Sequence, residues 1–122
     1  MKKPNLKTIE WILRIGIFMT FLGHGVFAIQ GNPSWIKYLE TVYIPTESAH
    51  TLIVYIGCLD VVVALFILLK PYNKIIIWAA IWAFLTALIR PISGDSIWSF
   101  IERGANFMMP LALYYTLKMN KL

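Results

Sequence analysis

The sequence predicts an all-α polytopic membrane protein: a four-transmembrane-helix up-down bundle, N-in and C-in, forming a single integral membrane domain over 1–122. Three observations predict it. Four apolar stretches, at about 9–29, 48–69, 73–90 and 97–117, approach the roughly 20 residues that a helix needs to cross about 30 Å of hydrocarbon. Apolar residues make up 59% of the chain and the mean hydropathy is +0.69. Seven of the eight lysines flank the apolar stretches, whereas Arg14, Arg90 and Arg103 lie in them or at their edges. A soluble bundle would need polar outer faces, which the second and third stretches lack.

The lysines set the expected orientation. Lys2, Lys3 and Lys7 precede the first crossing, Lys70 and Lys74 flank the turn between the second and third, and Lys118 and Lys121 follow the fourth. Even-numbered crossings bring all three groups to one side, and the positive-inside rule makes it the cytoplasm. Only Lys37 falls on the other side. These short flanks account for the net charge of +5, so the expected partner is the lipid bilayer and not nucleic acid. The first apolar run is too long for a cleavable signal peptide, so it is expected to stay as the first crossing of a multi-pass chain. Cys58 is the single cysteine and lies within an apolar stretch, which excludes an intrachain dithiol centre and assigns it to buried packing.

Helix one is expected over about 8–30, ended by Gly31-Asn32-Pro33-Ser34. Pro33 suits a first helical turn, and Trp35, Ile36, Leu39, Val42 and Tyr43 recur at helical spacing opposite Lys37, Glu40 and Thr41. That pattern predicts a short interfacial helix over about 33–43 in the first outer loop, either a lid on the bundle or a surface anchor. Helix two spans about 47–69 with Thr46 as its cap. Lys70-Pro71-Tyr72-Asn73-Lys74 forms a tight turn, and helix three spans about 73–90, stopped by Pro91. Asp95 or Ser96 caps helix four, expected as one helix over about 96–118, bent at Pro110 where the Asn106 carbonyl loses its donor.

Helical periodicity gives each crossing one small or polar face. Helix one aligns Glu10, Arg14, Phe21, His24 and Ala28; helix two aligns His50, Ile53, Gly57, Asp60 and Ala64. Helix three aligns Ala79, Ala83, Thr86 and Arg90; helix four aligns Ser99, Arg103, Asn106, Pro110 and Tyr114, with Glu102 one step aside. Charges facing hydrocarbon cost several kcal/mol, so these faces turn inward. Counting about 1.5 Å per residue from the helix midpoints, Asp60 and Asn106 lie near the midplane; His24, Glu102 and Arg103 lie outward of it, and His50 and Arg90 further out. The expectation is an outward-facing polar pocket of His24, His50, Asp60, Arg90, Glu102, Arg103 and Asn106, with Asp60 paired to Arg103 or protonated. Glu10 and Arg14, four residues apart on the cytoplasmic half, form a structural ion pair, with snorkelling to headgroups as the plainer role for Arg14. A structural network of three acids and three arginines is the alternative reading of the whole set.

Two histidines without paired spacing are not a metal ligand set, so no metal site is expected. Haem ligation by His24 and His50 is disfavoured by a difference of roughly 5 Å in depth. The glycines flanking His24 leave room for a planar ligand at its imidazole.

The stretch Leu13-Arg14-Ile15-Gly16-Ile17-Phe18-Met19-Thr20-Phe21-Leu22-Gly23-His24-Gly25 resembles the first helix of the DoxX-like family of small four-helix membrane proteins, with an arginine followed ten residues on by a histidine-glycine pair. Asp60 stands where that family often has a glutamate before an apolar run and a basic turn. The resemblance implies a cytoplasmic-membrane protein, in some members a subunit of quinone-linked sulfur oxidation such as thiosulfate:quinone oxidoreductase, with membrane or periplasmic oxidoreductase partner subunits. On that basis the pocket is expected to bind a quinone: His24 would hydrogen-bond an oxygen, Arg103 or Arg90 would stabilise negative charge, and Asp60 or Glu102 would move protons. The competing expectations are a small anion or proton carrier or channel, which with four helices would call for a homo-oligomer, and a non-catalytic scaffold subunit.

Overall fold

The computed structural model describes residues 5–121, and all its regular structure is helical. Lys2 and Lys3, part of the charge argument for orientation, lie outside the described residues. The elements are α1 (Leu6–Ile29), α2 (Pro33–Thr41), α3 (Thr46–Leu69), α4 (Asn73–Ile92), α5 (Ile97–Ile101) and α6 (Gly104–Asn120). Three of them, α1, α3 and α4, are long and apolar enough to cross a membrane. Their outward faces carry exposed large apolar side chains, among them Ile12, Met19, Tyr55, Leu59, Ile81 and Leu85, a surface that water does not tolerate over such an area.

Local chemistry sets the ends. Asn5 caps α1 by accepting from the Thr8 amide at 2.8 Å, and Asn32 caps α2 by accepting from the Ser34 amide at 3.0 Å, with Pro33 in the first turn. Thr46 is the first residue of α3 rather than its cap; its hydroxyl donates to Glu40 Oε2 at 3.1 Å. Pro91 does not stop α4, which runs two residues past Arg90 because the Ser93 amide still reaches the Ile89 carbonyl at 2.9 Å. Gly94, at φ +101°, makes the turn that follows.

The expected continuous fourth helix is two helices. At Glu102 and Arg103 the chain tightens: the Arg103 amide bonds to Phe100 and the Asn106 amide to Arg103, each three residues back. The Ser99 carbonyl, freed by this shift, accepts instead from Arg103 Nη1 at 2.8 Å. Pro110, where the bend was expected, sits fully buried inside an unbroken α6.

α1 packs most extensively on α3, and α6 lies against α4 and α1, while α3 and α4 touch only sparingly. Gly25 and Gly57 permit the α1–α3 contact. A Cβ on Gly57 would stand 2.6 Å from the Gly25 carbonyl oxygen and 2.8 Å from the Ile29 nitrogen; one on Gly25 would stand 2.8 Å from the Gly57 oxygen. Cys58, next along α3, is exposed on the outer face and not buried as expected, since the α1 contact takes Gly57 and the interior takes Asp60. Between α1, α3, α4 and α6 the core is filled by Ile17, Phe21, Val63, Ile67, Ile76, Phe107 and Leu113 over a floor of alanines.

At the far end from α2, Arg14 joins three helices. Ile67 would offer its carbonyl to the amide of residue 71, but that residue is Pro71 and has no N–H. Arg14 Nε donates to the Ile67 oxygen at 3.0 Å, and Arg14 Nη2 donates to the Leu68 oxygen. The guanidinium thereby caps the negative end of α3. Arg14 Nη1 donates to Glu10 Oε2 at 2.8 Å, and Asn120 of α6 donates to Glu10 Oε1 at 3.1 Å. The Trp11 ring covers the guanidinium at 3.9 Å. Arg14 is 6% exposed, so it is held inside the bundle and does not snorkel.

The glycine contact predicts opposite outcomes at neighbouring positions. Gly57→Ala should lower stability by about 1–3 kcal/mol, because backbone and not a flexible side chain must move. Gly23→Ala, with nothing within 4 Å of the added Cβ, should raise it by about 0.5–1 kcal/mol through helix propensity. Thermal unfolding of the two variants in one detergent checks both signs.

Candidate functional site

The sparse α3–α4 contact leaves room for a cavity of about 420 Å³ under α2. Each wall is a helical stripe. α1 contributes Thr20, His24 and Ala28; α3 contributes Ile53, Ile56 and Asp60; α4 contributes Trp82, Thr86, Ile89 and Arg90. Arg103, at the break before α6, and Asn106 close the remaining side, and Trp35, Tyr38, Leu39 and Val42 of α2 form the roof. The wall is mostly apolar, with a few convergent polar groups, the composition of a small-molecule site.

Two polar atoms in this region lack partners. Asp60 Oδ1 and Arg90 Nε are buried and find no hydrogen bond among the described residues. An unsatisfied buried group costs about 1–3 kcal/mol, so each is an anomaly for a folded chain. The rest of the Arg90 guanidinium is held in place: Nη1 donates to the Tyr38 hydroxyl at 3.2 Å, and the group lies 5.1 Å from the Tyr38 ring and 5.9 Å from the Trp35 ring. His24 meets the edge of Trp35 with centroids 5.7 Å apart.

α2 is a lid. Ile36 is buried with Ala28, Ala49 and Ile53, which seats the helix on α1 and α3. On the other side it is tied to the turn after α4: Lys37 Nζ and the Tyr38 hydroxyl donate to the two oxygens of Asp95, each at 2.7 Å, and the Ser93 hydroxyl donates to Thr41 Oγ1 at 2.8 Å. Asp95 therefore fastens the lid, while Ser96 caps α5.

Of the seven residues expected to share a pocket, five do: His24, Asp60, Arg90, Arg103 and Asn106. His50 is exposed and does not line the cavity, because the lid seats on Ala49 and Ile53 and leaves the His50 side outside. Glu102 falls in the break between α5 and α6, its side chain 66% exposed. The expected Asp60–Arg103 pair is absent, since Arg103 Nη1 turns to Glu102 Oε1 at 2.6 Å and to the Ser99 carbonyl. Tyr38, Trp82 and Asp95 were not foreseen as site residues. Trp35, Tyr38 and Val42 share one helical face at spacings of three and four, and Trp82 stands four residues before Thr86, so the first two were legible from periodicity. Nothing in the sequence couples Asp95 to Lys37 across 58 positions.

The chain matches no family model, no curated protein and no solved structure with which it was compared. The chemistry of the site rests on its own residues. Among the described residues no three His, Cys, Asp or Glu side chains cluster as a metal site.

The lid tether carries a pH dependence. Hydrogen bonds from Lys37 and then Tyr38 hold the Asp95 carboxyl below its usual 3.8, and the bond to Asp95 holds Lys37 above 10.5. A depressed carboxyl stabilises fully above its unfolded value and loses that contribution as pH falls through the folded one; a raised amine does so below 10.5 and loses it as pH rises further. Amide protection of α2, corrected for intrinsic exchange, should be flat between these limits and fall on acidification below 3.8. In Asp95→Asn it should be low throughout, with no acid limb, by hydrogen-exchange mass spectrometry.

Proposed function

We propose that this chain is a small integral membrane protein of four crossings that binds a quinone-like molecule in the lidded cavity. α1, α3 and α4 supply three crossings, and α5 with α6 the fourth. α6 alone is 17 residues long, or about 25 Å, and α5 adds the missing turn. Lys7, Lys70, Lys74, Lys118 and Lys121 gather at the Arg14 end, which the positive-inside rule assigns to the cytoplasm, so the lid faces outward. The resemblance of residues 13–25 to the DoxX-like family favours the inner membrane and a role beside a thiol or sulfur oxidoreductase.

The observation that carries the reading is that Asp60 and Arg90, each with a buried side-chain atom that lacks a hydrogen-bond partner, both line one apolar-walled space. A quinone ring fits that environment: Trp35 and Trp82 offer flat apolar surfaces, and its oxygens are the acceptors that Arg90 lacks. Bound there, a quinone supplies a two-electron acceptor whose electrons come from a partner subunit or a thiosulfate-like donor. The chain's own residues do the rest. Arg90 and Arg103 place positive charge at the ring oxygens, His24 orients the ring against Trp35, and Asp60 holds or releases a proton at the other side. The lid excludes water from these groups.

Titration of the purified protein with a decyl-substituted benzoquinone, followed by quenching of tryptophan fluorescence, tests the reading. Saturable quenching is expected, weakened about tenfold or more in Arg90→Met and in His24→Ala, which removes a hydrogen-bonding partner worth about 1.5–3 kcal/mol at charged sites. Affinity unchanged in both variants, or no saturable quenching, refutes it.

A further inference from the structure

We infer that the cavity is entered sideways, between α3 and α4, so that its ligand is an amphiphile taken from the bilayer, with an oxygen-bearing polar ring among the polar groups of the cavity and an apolar tail in the interhelical slot. This rests on the four-crossing, ligand-binding reading above and narrows it to one ligand class and one route.

The water-facing end is shut. The lid is fastened to the turn after α4 through Lys37, Tyr38 and Thr41, and to α3 through Ile36 packed on Ala49 and Ile53 and through the Glu40–Thr46 hydrogen bond. A ligand coming from solution would have to break contacts on both sides of α2 together.

The lateral face is open. α3 and α4 are joined by a tight turn yet touch sparingly. Val42, Leu85 and Ile92 line the cavity and stand 51%, 47% and 61% exposed. A side chain that reaches both the interior and the exterior marks a mouth, and these three are apolar. In a bilayer that mouth meets hydrocarbon, where a hydrated anion gains nothing and an acyl or isoprenoid chain loses nothing.

The interior selects the head. Asp60, His24, Arg90, Arg103 and Asn106 interrupt a mostly apolar wall, so the best-matched head is a small ring that carries polar oxygens, as a quinone or hydroquinone does. A water-borne inorganic anion gains nothing from the apolar wall, and it has no route through the lid. The chemistry thus separates this site from an anion carrier.

Stopped-flow quenching in phosphatidylcholine nanodiscs tests route and class together. The full chain, with Trp11, Trp78 and Trp98 replaced by Phe, reports through Trp35 and Trp82 in the cavity wall. Two probes are used, a decyl-substituted benzoquinone and tail-less benzoquinone. The decyl probe should bind tighter, and Leu85→Phe and Ile92→Phe, made separately so that a folding defect in one leaves the other informative, should slow its association about tenfold while Asp95→Asn leaves it within about twofold. Entry through the lid, and not the slot, is established instead if Asp95→Asn accelerates association and both mouth variants leave it unchanged. Equal affinity for the two probes overturns the tail assignment alone. Absence of quenching by either probe removes the ligand-binding reading and this inference with it.

Discussion

The fold depends on how closely α1 and α3 approach. Gly25 and Gly57 bring backbone against backbone, with no space for a Cβ on either side. In a bilayer, lipid tails are as apolar as the side chains, and close packing of small residues is what holds helices together. The pair is fixed a second time at its other end, where Arg14 takes the Ile67 carbonyl that Pro71 leaves without a donor, together with that of Leu68, and Glu10 carries the connection on to Asn120 of α6. With α1 and α3 locked at both ends, α6 fills against α1 and α4, and the space left over is the gap between α3 and α4. The cavity is a consequence of that asymmetry.

Arginines in this chain act according to what lies within reach. Arg14 is buried and fully engaged by helix-end carbonyls, a carboxylate and an aromatic face, so its role is complete within the protein. Arg103 turns back to the carbonyl exposed by the α5–α6 break and to its neighbour Glu102. Arg90 is aromatic-stacked and anchored at one nitrogen, yet keeps a buried donor free. Among the described residues, only there and at Asp60 is a buried side-chain polar atom left without a hydrogen-bond partner. Natural proteins concentrate such local violations at functional sites.

Much of this was legible from periodicity. The stripes Phe21–His24–Ala28, Ile53–Asp60 and Thr86–Arg90 converge because each helix has one small or polar face and hydrocarbon rejects it. What periodicity could not supply was pairing between helices. Asp60 was matched to Arg103 on depth alone, but the break at Glu102 and Arg103 freed the Ser99 carbonyl and turned that guanidinium aside. The break was missed because Pro110 is the stronger local signal, although a proline whose lost bond falls within a well-packed helix need not end it. The C-terminal cap by Arg14 was implicit in Pro71 standing four residues after Ile67. The lid's fastening was not, since Asp95 reads equally well as a helix cap.

Whether Asp60 is a structural ion-network residue or part of a ligand site is the point on which the account turns, and thermal unfolding of ligand-free Asp60→Leu against the wild type decides it. A buried carboxyl oxygen without a hydrogen-bond donor burdens the empty protein, so removal of the Asp60 side-chain charge is predicted to raise stability by about 1–3 kcal/mol while abolishing any stabilisation by the decyl quinone. A structural partner of an arginine behaves in the opposite way. A loss of about 3–5 kcal/mol in the ligand-free variant, the cost of breaking a buried pair, would contradict the account.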